Sequence, residues 1–336
     1  MTDAKSPTSF PKPDLGRIGL WSGSLDGVPG AKVRDVVQEI EGLGFGTLWY
    51  PETVGREPFV NAMMILSATN RLKAATGIAS IAARTAMAMQ AGWKALSEAY
   101  PERFVLGMGV SHGHMVTKLH KSPYEKPYST MVEYLDNMDA VPYFAVAPSG
   151  PTYRVLAALG PKMLELARER TSGAHPYFTT PEHTAEARTI LGPDKLLAPE
   201  QMVIFETDPD KARETARKNM SVYTRLPNYA NNLIRLGFSQ DEITNQSDRL
   251  VDEIVCWGTL DKIAARIKQH HDAGADHVCV QVPLHDAKAL PTSTRTRSSS
   301  TRRVRRGGDQ ACRRVRAGTS RNSSSTCARC SACSTE

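Results

Sequence analysis

The segment YPERFVLGMGVSHG, residues 100–113, joins an apolar strand pattern to a pair of polar side chains. From Phe104 to Ser111 the residues are apolar or small, without the polar alternation of a half-exposed strand. A strand of a parallel sheet that is covered on both faces has this pattern. His112 follows directly, so the segment predicts a buried parallel strand with functional side chains at its carboxyl end.

Seven further segments have strand patterns, and longer segments of helical period separate them. The predicted strands are residues 17–23, 47–52, 73–80, 153–160, 173–179, 201–208 and 277–284. Helices are predicted over residues 31–43, 86–100 and 260–273. Eight β/α units predict an α/β protein with a (β/α)8 TIM barrel. The long strand-free stretch Pro209–Glu253 predicts an insertion before the last strand.

Charge and composition divide the chain into a flexible N-terminus (residues 1–14), the barrel (residues 15–290) and a low-complexity tail (residues 291–336). The net charge is +7, but the tail has 11 Arg against two acidic residues, so the remainder is slightly acidic. Ser, Thr and Arg make up 28 of the 46 tail residues, and no hydrophobic period is present. We expect a disordered tail, and its composition suggests a reading-frame shift near Leu290.

The sequence predicts a cytoplasmic protein with a small-molecule substrate. Its N-terminus is polar and proline-rich, and no run approaches the roughly 18–20 apolar residues of a membrane helix. Only Cys256 and Cys279 precede the tail, which fits a reduced compartment. We expect no membrane contact and no nucleic acid bound through the barrel. The tail leaves two alternatives open: its Arg clusters could bind nucleic acid or anionic lipid, and its Cys-x-x-Cys-x-x-Cys could hold a metal.

Strand ends carry the chemistry of a barrel, so the motifs there are the candidates for function. Gly107 and Gly109 resemble the start of a dinucleotide fingerprint, but its third glycine is replaced by His112. His112 and His114 form a His-x-His pair, yet further ligands at other strand ends are few, so we predict no metal. The adjacent His270 and His271 are expected at the surface of a helix.

Four segments together resemble the luciferase-like monooxygenase superfamily, and within it the F420-dependent oxidoreductases. They are GLGFGTLWYPE (residues 42–52), TGI with YPERFVLGMGVSHG (residues 76–78 and 100–113), RVLAALGPKMLELARERTSGAHPYFTTPEHT (residues 154–184) and WGTLDKIAARIKQHHDAGADHVCVQV (residues 257–282). The resemblance covers residues 17–283 and rests on the order and spacing of the segments. It implies a barrel oxidoreductase that binds a deazaflavin at the strand carboxyl ends, and dimers are common in the family.

The resemblance also implies roles for individual residues. Gly77 and Ile78 would form a non-prolyl cis peptide that backs the cofactor ring, next to Ser111. The turn Ala157, Ala158, Leu159 and Gly160 would lie along the ring and ribityl chain. The segment His175, Pro176 and Tyr177 would lie nearest the cofactor phosphate. His112 would be the acid/base residue, and Trp21 and Glu52 would line the substrate side.

Two alternatives to this function stay open at this stage. Relatives that use a sugar phosphate carry a His where this chain has Thr53, which disfavours such a substrate. F420 and FMN are both flat tricyclic rings with a phosphorylated tail, so an FMN-dependent luciferase-like monooxygenase is the first alternative to an F420-dependent hydride transfer. An impaired flavin-binding barrel with a damaged C-terminus is the second.

Overall fold

The computed structural model describes residues 10–283, and the predicted tail lies outside these residues. The strands are β1 (Ile18–Trp21), β2 (Thr47–Tyr50), β3 (Lys73–Thr76), β4 (Ala79–Ser80), β5 (Phe104–Gly109), β6 (Tyr153–Leu156), β7 (Gly173–Ala174), β8 (Leu196–Leu197), β9 (Glu200–Ile204), β10 (Val255–Trp257) and β11 (Val278–Gln281). Strands at all eight predicted positions are confirmed, whereas the two- and three-residue strands β8 and β10 were not predicted.

Helices follow most of the strands. They are α1 (Gly30–Leu43), α2 (Pro58–Ala68), α3 (Ala86–Ala99), α4 (Gly113–Lys118), α5 (Pro127–Ala140), α6 (Pro161–Arg170), α7 (Pro181–Leu191), α8 (Pro209–Met220), α9 (Pro227–Arg235), α10 (Gln240–Asn245), α11 (Asp248–Ile254) and α12 (Leu260–Asp272). Short 3-10 turns cover Ser24–Gly27 and Tyr223–Arg225. The predicted insertion therefore begins with α8 and adds α9, α10 and α11.

The strands form one curled parallel sheet in the order β10-β9-β11-β1-β2-β3-β5-β6-β7-β8, and β4 pairs with β5. Every residue of β2, β5, β6 and β9 is buried, as expected for strands that are covered on both faces. The N-terminal strand β1 pairs with both β2 and the last strand β11. This arrangement places the carboxyl ends of strands from both halves of the chain at one edge.

Residues 10–14, which belong to the predicted flexible N-terminus, contact the sheet and its helices. The Phe10 ring packs against the core, with the Arg154 guanidinium carbon 4.3 Å from its centroid. Lys12 forms an ion pair of 2.5 Å with Asp276 and donates a hydrogen bond to the Pro193 carbonyl oxygen. This part of the N-terminus is therefore fixed to the fold.

The expectation that His270 lies at the surface was wrong. His270 is fully buried between α12 and the sheet. Its two ring nitrogens lie within hydrogen-bonding distance of the Thr184 hydroxyl (2.8 Å) and the Gln201 side-chain oxygen (3.0 Å). Helical spacing alone could not reveal the two partners, which come from α7 and β9.

No helix among residues 10–283 is both long enough and apolar enough to cross a membrane.

Candidate active site

A cavity of about 890 Å³ lies at the carboxyl ends of the strands. We call Trp21, Glu52, Gly77, Ile78, His175 and Tyr177 its floor, because they follow or end the strands beneath it. We call Val222, Tyr223, Leu226, Asn228, Tyr229, Asn231, Asn232 and Arg235 its roof, because they belong to the insertion. Between them lie the β5 and β6 ends, including Ser111, His112 and the turn Ala157–Gly160.

Two other floor residues pack closely against Gly77. The Gly77–Ile78 peptide bond is cis, as the family resemblance implied. A Cβ at Gly77 would lie 2.8 Å from the Trp21 Nε1 atom and 3.0 Å from the His175 Nε2 atom. A side chain at this position would therefore collide with two aromatic rings, so glycine is required for steric reasons.

Glu52 lines the cavity, but its carboxylate already has partners. One oxygen accepts hydrogen bonds from the Ser80 backbone nitrogen (2.7 Å) and from Arg84 (2.9 Å), and the other oxygen also pairs with Arg84. Both side chains are about nine-tenths buried. The Glu52 backbone nitrogen donates to the Ile78 carbonyl oxygen at 3.2 Å. The contacts of Glu52 therefore fix the β2 and β3 ends around the cis peptide rather than leaving a carboxylate for proton transfer.

His112 lies at the end of β5 with one nitrogen held by the roof. Its Nδ1 atom is 3.2 Å from the Asn228 side-chain oxygen, and its ring centroid is 5.6 Å from that of Tyr229. Burial lowers the pKa of His112 below its usual value, although the Asn228 contact opposes that shift. Ser111 has a left-handed φ of 59°, and its carbonyl oxygen accepts a hydrogen bond from the Tyr124 hydroxyl at 3.1 Å. His112 is therefore a neutral imidazole at neutral pH.

His175 is buried beneath the cavity rather than exposed to it as a cation. Burial lowers its pKa to about 4, and its ring stacks on Trp49 with centroids 4.3 Å apart. Its Nδ1 atom lies 2.7 Å from the Ala198 carbonyl oxygen, which can only accept a hydrogen bond. Nδ1 therefore carries the proton, and Nε2 has no hydrogen-bond partner among the described residues. The neighbouring Trp21 Nε1 donor likewise has none.

Aromatic residues join the floor to the roof. The Tyr177 ring packs against Trp21, with centroids 5.1 Å apart. The Tyr177 and Tyr223 hydroxyls are 2.8 Å apart, and the Tyr177 hydroxyl is 2.7 Å from the Gln281 side-chain oxygen. Burial raises the pKa of both tyrosines, so they are uncharged hydrogen-bonding groups at neutral pH. This side of the cavity therefore suits an apolar, uncharged ligand.

The cavity has a cationic end where α6 begins. Gly160 is the N-cap residue of α6, without a side-chain cap, and Lys162 follows in the first turn. Arg235 donates hydrogen bonds to the Leu159 carbonyl oxygen (2.7 Å) and to the Asn232 side-chain oxygen (2.7 Å). Asn232 is 3% exposed, and its Nδ2 donor has no partner among the described residues. Arg235 also pairs with Glu186 at 3.6 Å. Lys162, the unsatisfied amide donor and the helix N-terminus together suit an anionic group.

Of the thirteen site residues that the sequence singled out, the structure places all but Pro176 around this cavity. They are Trp21, Glu52, Gly77, Ile78, Ser111, His112, Ala157, Ala158, Leu159, Gly160, His175 and Tyr177. Pro176 is instead turned to the sheet, and its carbonyl oxygen accepts a hydrogen bond from the Glu200 backbone nitrogen at 2.9 Å. Within residues 10–283, no group of three His, Cys, Asp or Glu side chains is arranged to hold a metal ion.

The sequence analysis missed the roof entirely. Asn228, Asn231, Asn232 and Arg235 recur at helical spacing along α9, so they form one polar face, whereas Tyr229 and Leu233 are buried. An asparagine-rich face on a short helix inside an otherwise unexplained insertion is the signal that could have identified it. The spacing alone does not tell which strand end that face covers.

Comparison with known proteins agrees with this architecture. A curated relative named "Putative coenzyme F420-dependent oxidoreductase", from Mycobacterium tuberculosis, is 26% identical over 195 residues, which cover 49% of this chain and 56% of the relative. The match thus spans little more than half of that relative's length.

Two solved structures share the fold at lower identity. One is an F420-dependent secondary alcohol dehydrogenase in complex with an F420–acetone adduct, with a TM-score of 0.64, 16% identity, and coverage of 81% of this chain and 94% of that one. The other is the FMN-bound oxygenating constituent of 3,6-diketocamphane monooxygenase from Pseudomonas putida, with a TM-score of 0.58, 12% identity, and coverage of 79% and 91%.

The sequence itself matches one family description, luciferase-like monooxygenase, over residues 16–277. That match extends from the start of β1 to the start of β11 and includes every element around the cavity. This chain therefore belongs to the luciferase-like monooxygenase family.

Proposed function

We propose that this protein is an F420-dependent oxidoreductase that transfers a hydride between the deazaflavin and a small organic substrate, with His112 as the acid/base residue. The observation that carries the proposal is the His112 imidazole at the edge of a cavity whose floor contains Gly77 and whose one carboxylate, Glu52, is already paired with Arg84. Hydride chemistry on a carbonyl or alcohol needs a proton acceptor or donor near neutral pH, which histidine provides. The relative from Mycobacterium tuberculosis supports F420 as the cofactor.

The residues present fit a flat ring with a phosphorylated tail. The surface beneath the ring would be closely packed protein, because a Cβ at Gly77 would lie 2.8 Å from the Trp21 Nε1 atom and a Cβ at Gly109 would lie 2.8 Å from the Ile78 Cδ1 atom. The buried Trp21 Nε1 atom is a donor without a partner beside this surface. A polar ring edge can satisfy such a donor, whereas an empty apolar pocket would leave it unsatisfied.

The cationic end is the better place for the cofactor phosphate than the segment His175–Tyr177 that sequence reasoning favoured. His175 and Tyr177 are buried and uncharged, and neither can neutralise an anion. Lys162, Asn232 and the α6 N-terminus offer a charge, an amide donor and backbone N–H groups. The phosphate would therefore bind there, with the Ala157–Gly160 turn along the connecting chain.

When bound, the deazaflavin supplies a carbon that accepts or donates hydride. The protein contributes the remaining functions. Gly77 and Ile78 support the ring, and the ion pair of Glu52 with Arg84 keeps these two residues in place. The tyrosine-rich side of the roof excludes water from an uncharged substrate. His112 takes or returns the proton at its Nε2 atom.

We also propose that the sheet is a closed (β/α)8 barrel in which β8 and β9 are one strand interrupted at Pro199. Backbone hydrogen bonds support closure on both sides of the interruption. Ala198 donates to the Ala174 carbonyl oxygen of β7 at 3.0 Å, and Cys279 of β11 donates to the Pro199 carbonyl oxygen at 2.8 Å. With β8 and β9 counted together, β10 is an additional strand on β9.

The test is a binding titration of the full-length protein with F420 and, separately, with FMN, followed by ring fluorescence. We expect saturable F420 binding, weaker FMN binding, and an F420 affinity at least about tenfold lower in Gly77→Val, because the new side chain must displace Trp21 or His175. Gly42→Ala is the matched control, because a Cβ at this α1 position meets no atom within 4 Å.

Each other outcome has a defined meaning. A preference for FMN would replace the proposal by the FMN-dependent monooxygenase. Binding of neither cofactor would favour the impaired barrel. Unchanged F420 affinity in a folded Gly77→Val protein would place the cofactor somewhere other than on this floor.

A further inference from the structure

The contact between His112 and Asn228 joins a strand end to the insertion across 116 positions of sequence. His112 lies after β5, where it is the N-cap residue of α4, and Asn228 lies in the first turn of α9. The contact joins the Nδ1 atom of the imidazole to the side-chain oxygen of the amide at 3.2 Å. Among residues 10–283 it is the one hydrogen bond of the His112 ring, so the Nε2 atom has no protein partner there.

The chemistry of the two groups determines which nitrogen carries the proton. An amide oxygen can only accept a hydrogen bond, so Nδ1 must be the N–H donor. In a neutral imidazole the other nitrogen is then an unprotonated acceptor. The free histidine side chain favours the opposite tautomer, with hydrogen on Nε2. The Asn228 contact therefore selects a form of His112 that the ring alone would not prefer.

The surroundings of His112 keep the ring neutral. Its ring neighbours are His114, with centroids 6.3 Å apart and planes 10° from parallel, and Tyr229, with centroids 5.6 Å apart. Burial lowers the pKa of His112 first, and His114 lowers it further, while Asn228 acts in the opposite direction. Burial raises the pKa of Tyr229 well above its usual value, so this phenol contributes no negative charge.

We propose that Asn228 is a positioning residue that holds His112 in its Nδ1–H tautomer, so that Nε2 receives the hydroxyl group of an alcohol-type substrate in the cavity. A lone pair at Nε2 can bind a ligand O–H group but not a ligand carbonyl oxygen. The proposal rests on the proposed function for the redox chemistry, but the tautomer itself is a property of this chain alone. Asn228 touches His112 and acts through it.

Nitrogen-15 NMR of the full-length protein reads the tautomer directly, with the His112 signals identified by their loss in His112→Gln. We expect Nδ1 to be protonated and Nε2 unprotonated in the parent protein at neutral pH. In Asn228→Leu the population should shift toward Nε2–H. In Asn228→Asp the Nδ1–H tautomer should persist and the pKa of His112 should rise by about one unit or more, because a carboxylate stabilises the imidazolium.

Asn231→Leu is the matched control, because Asn231 is also exposed on α9, whereas the hydrogen bond of the His112 ring goes to Asn228. It should leave the His112 signals unchanged. A parent protein with hydrogen on Nε2, or an unchanged tautomer in a folded Asn228→Leu protein, would overturn the proposal. Asn228 is exposed, so its replacement should not prevent folding.

Cyclohexanol and cyclohexanone test the ligand class in the F420-loaded protein. The alcohol should shift the Nε2 resonance in the parent protein and much less in Asn228→Leu, whereas the ketone should have little effect on either. An equal response to both probes, or none, would overturn the hydroxyl assignment. Failure of F420 to bind would instead refute the proposed function and leave the tautomer result valid, so the two failures can be told apart.

Discussion

The floor and the roof of the cavity satisfy their polar groups in different ways. In the floor, Glu52 is paired with Arg84 and Ser80, and both charged side chains are about nine-tenths buried. In the roof, Asn228 is exposed and Asn232 keeps an unpaired amide donor. Buried charge that is already paired serves to hold the backbone, whereas polar atoms that are left open can receive a ligand. We therefore expect substitutions of the paired floor charges mainly to change stability, and substitutions in the roof or at the cationic end mainly to change ligand affinity.

The largest expected effect is on stability at acidic pH, because three histidines are buried and neutral: His175 in the floor, and His270 and His277 elsewhere in the fold. Burial lowers the pKa of His175 and His277 to about 4 and that of His270 to about 3. In the unfolded chain each would titrate near 6.5, so between about pH 6.5 and pH 4 the unfolded state binds more protons. The free energy of unfolding should therefore decrease as the pH is lowered from about 6.5 to 4, by about 3 kcal/mol for each histidine.

One buried group, Glu200 at the start of β9, has a pH dependence of the opposite sign. Burial raises the pKa of Glu200 to about 8, so its protonated form belongs to the folded state. Its contribution to stability is fully present below the unfolded value near 4.3 and is lost as the pH rises through 8. Urea unfolding from pH 4 to pH 9 measures both pH dependences, that of the histidines and that of Glu200. A flat profile in the parent protein would contradict the assignment.

The second effect tests the floor ion pair. Arg84→Met would leave the buried Glu52 carboxylate without its cation, which costs about 3–5 kcal/mol when one partner of a buried pair is removed. The denaturant midpoint of unfolding measures the loss. The double variant Arg84→Met with Glu52→Gln should recover part of it, because the unpaired charge is then absent. A loss below about 1 kcal/mol would mean that the pair behaves as an exposed one.

The smallest effect tests the cationic end. Lys162→Ala should weaken F420 binding by about tenfold. A hydrogen bond to a charged group contributes about 1.5–3 kcal/mol, and the Asn232 amide and the α6 N-terminus would still bind the phosphate. The unfolding midpoint should hardly change, because Lys162 has an exposed side chain. Lys32→Ala on α1, far from the cavity, is the control. Equal F420 affinities in both variants would move the phosphate away from α6.

The strands were largely predictable because the pattern that specifies them is local. β5 is a continuous run of apolar and small residues, whereas β2 and β6 each contain one polar residue, Thr47 and Arg154, and each strand was expected within a few residues of its observed start. β8 and β10 have only two and three residues, too few for any period to be read. Pro199 separates β8 from β9, so the start of that strand was not recognised.

The site residues at the strand ends were predictable for a related reason. A residue at a strand end lies near the ends of the neighbouring strands in any parallel barrel. His112, Gly77 and Trp21 could thus be assigned to one site before their distances were known. Their partners could not. Arg84 is 32 positions from Glu52 and lies beyond β4, and nothing in its local sequence distinguishes it from a surface arginine.

The sequence by itself determined the α/β alternation, the strand ends that meet at the cavity and, through family resemblance, the cis peptide at Gly77–Ile78. Only the tertiary structure determined which charges are paired, which histidines are buried and which side chain holds His112. The physical reason is that hydrophobic period and turn residues act over a few positions, whereas the Asn228–His112 contact and the burial of His270 arise when distant elements pack together.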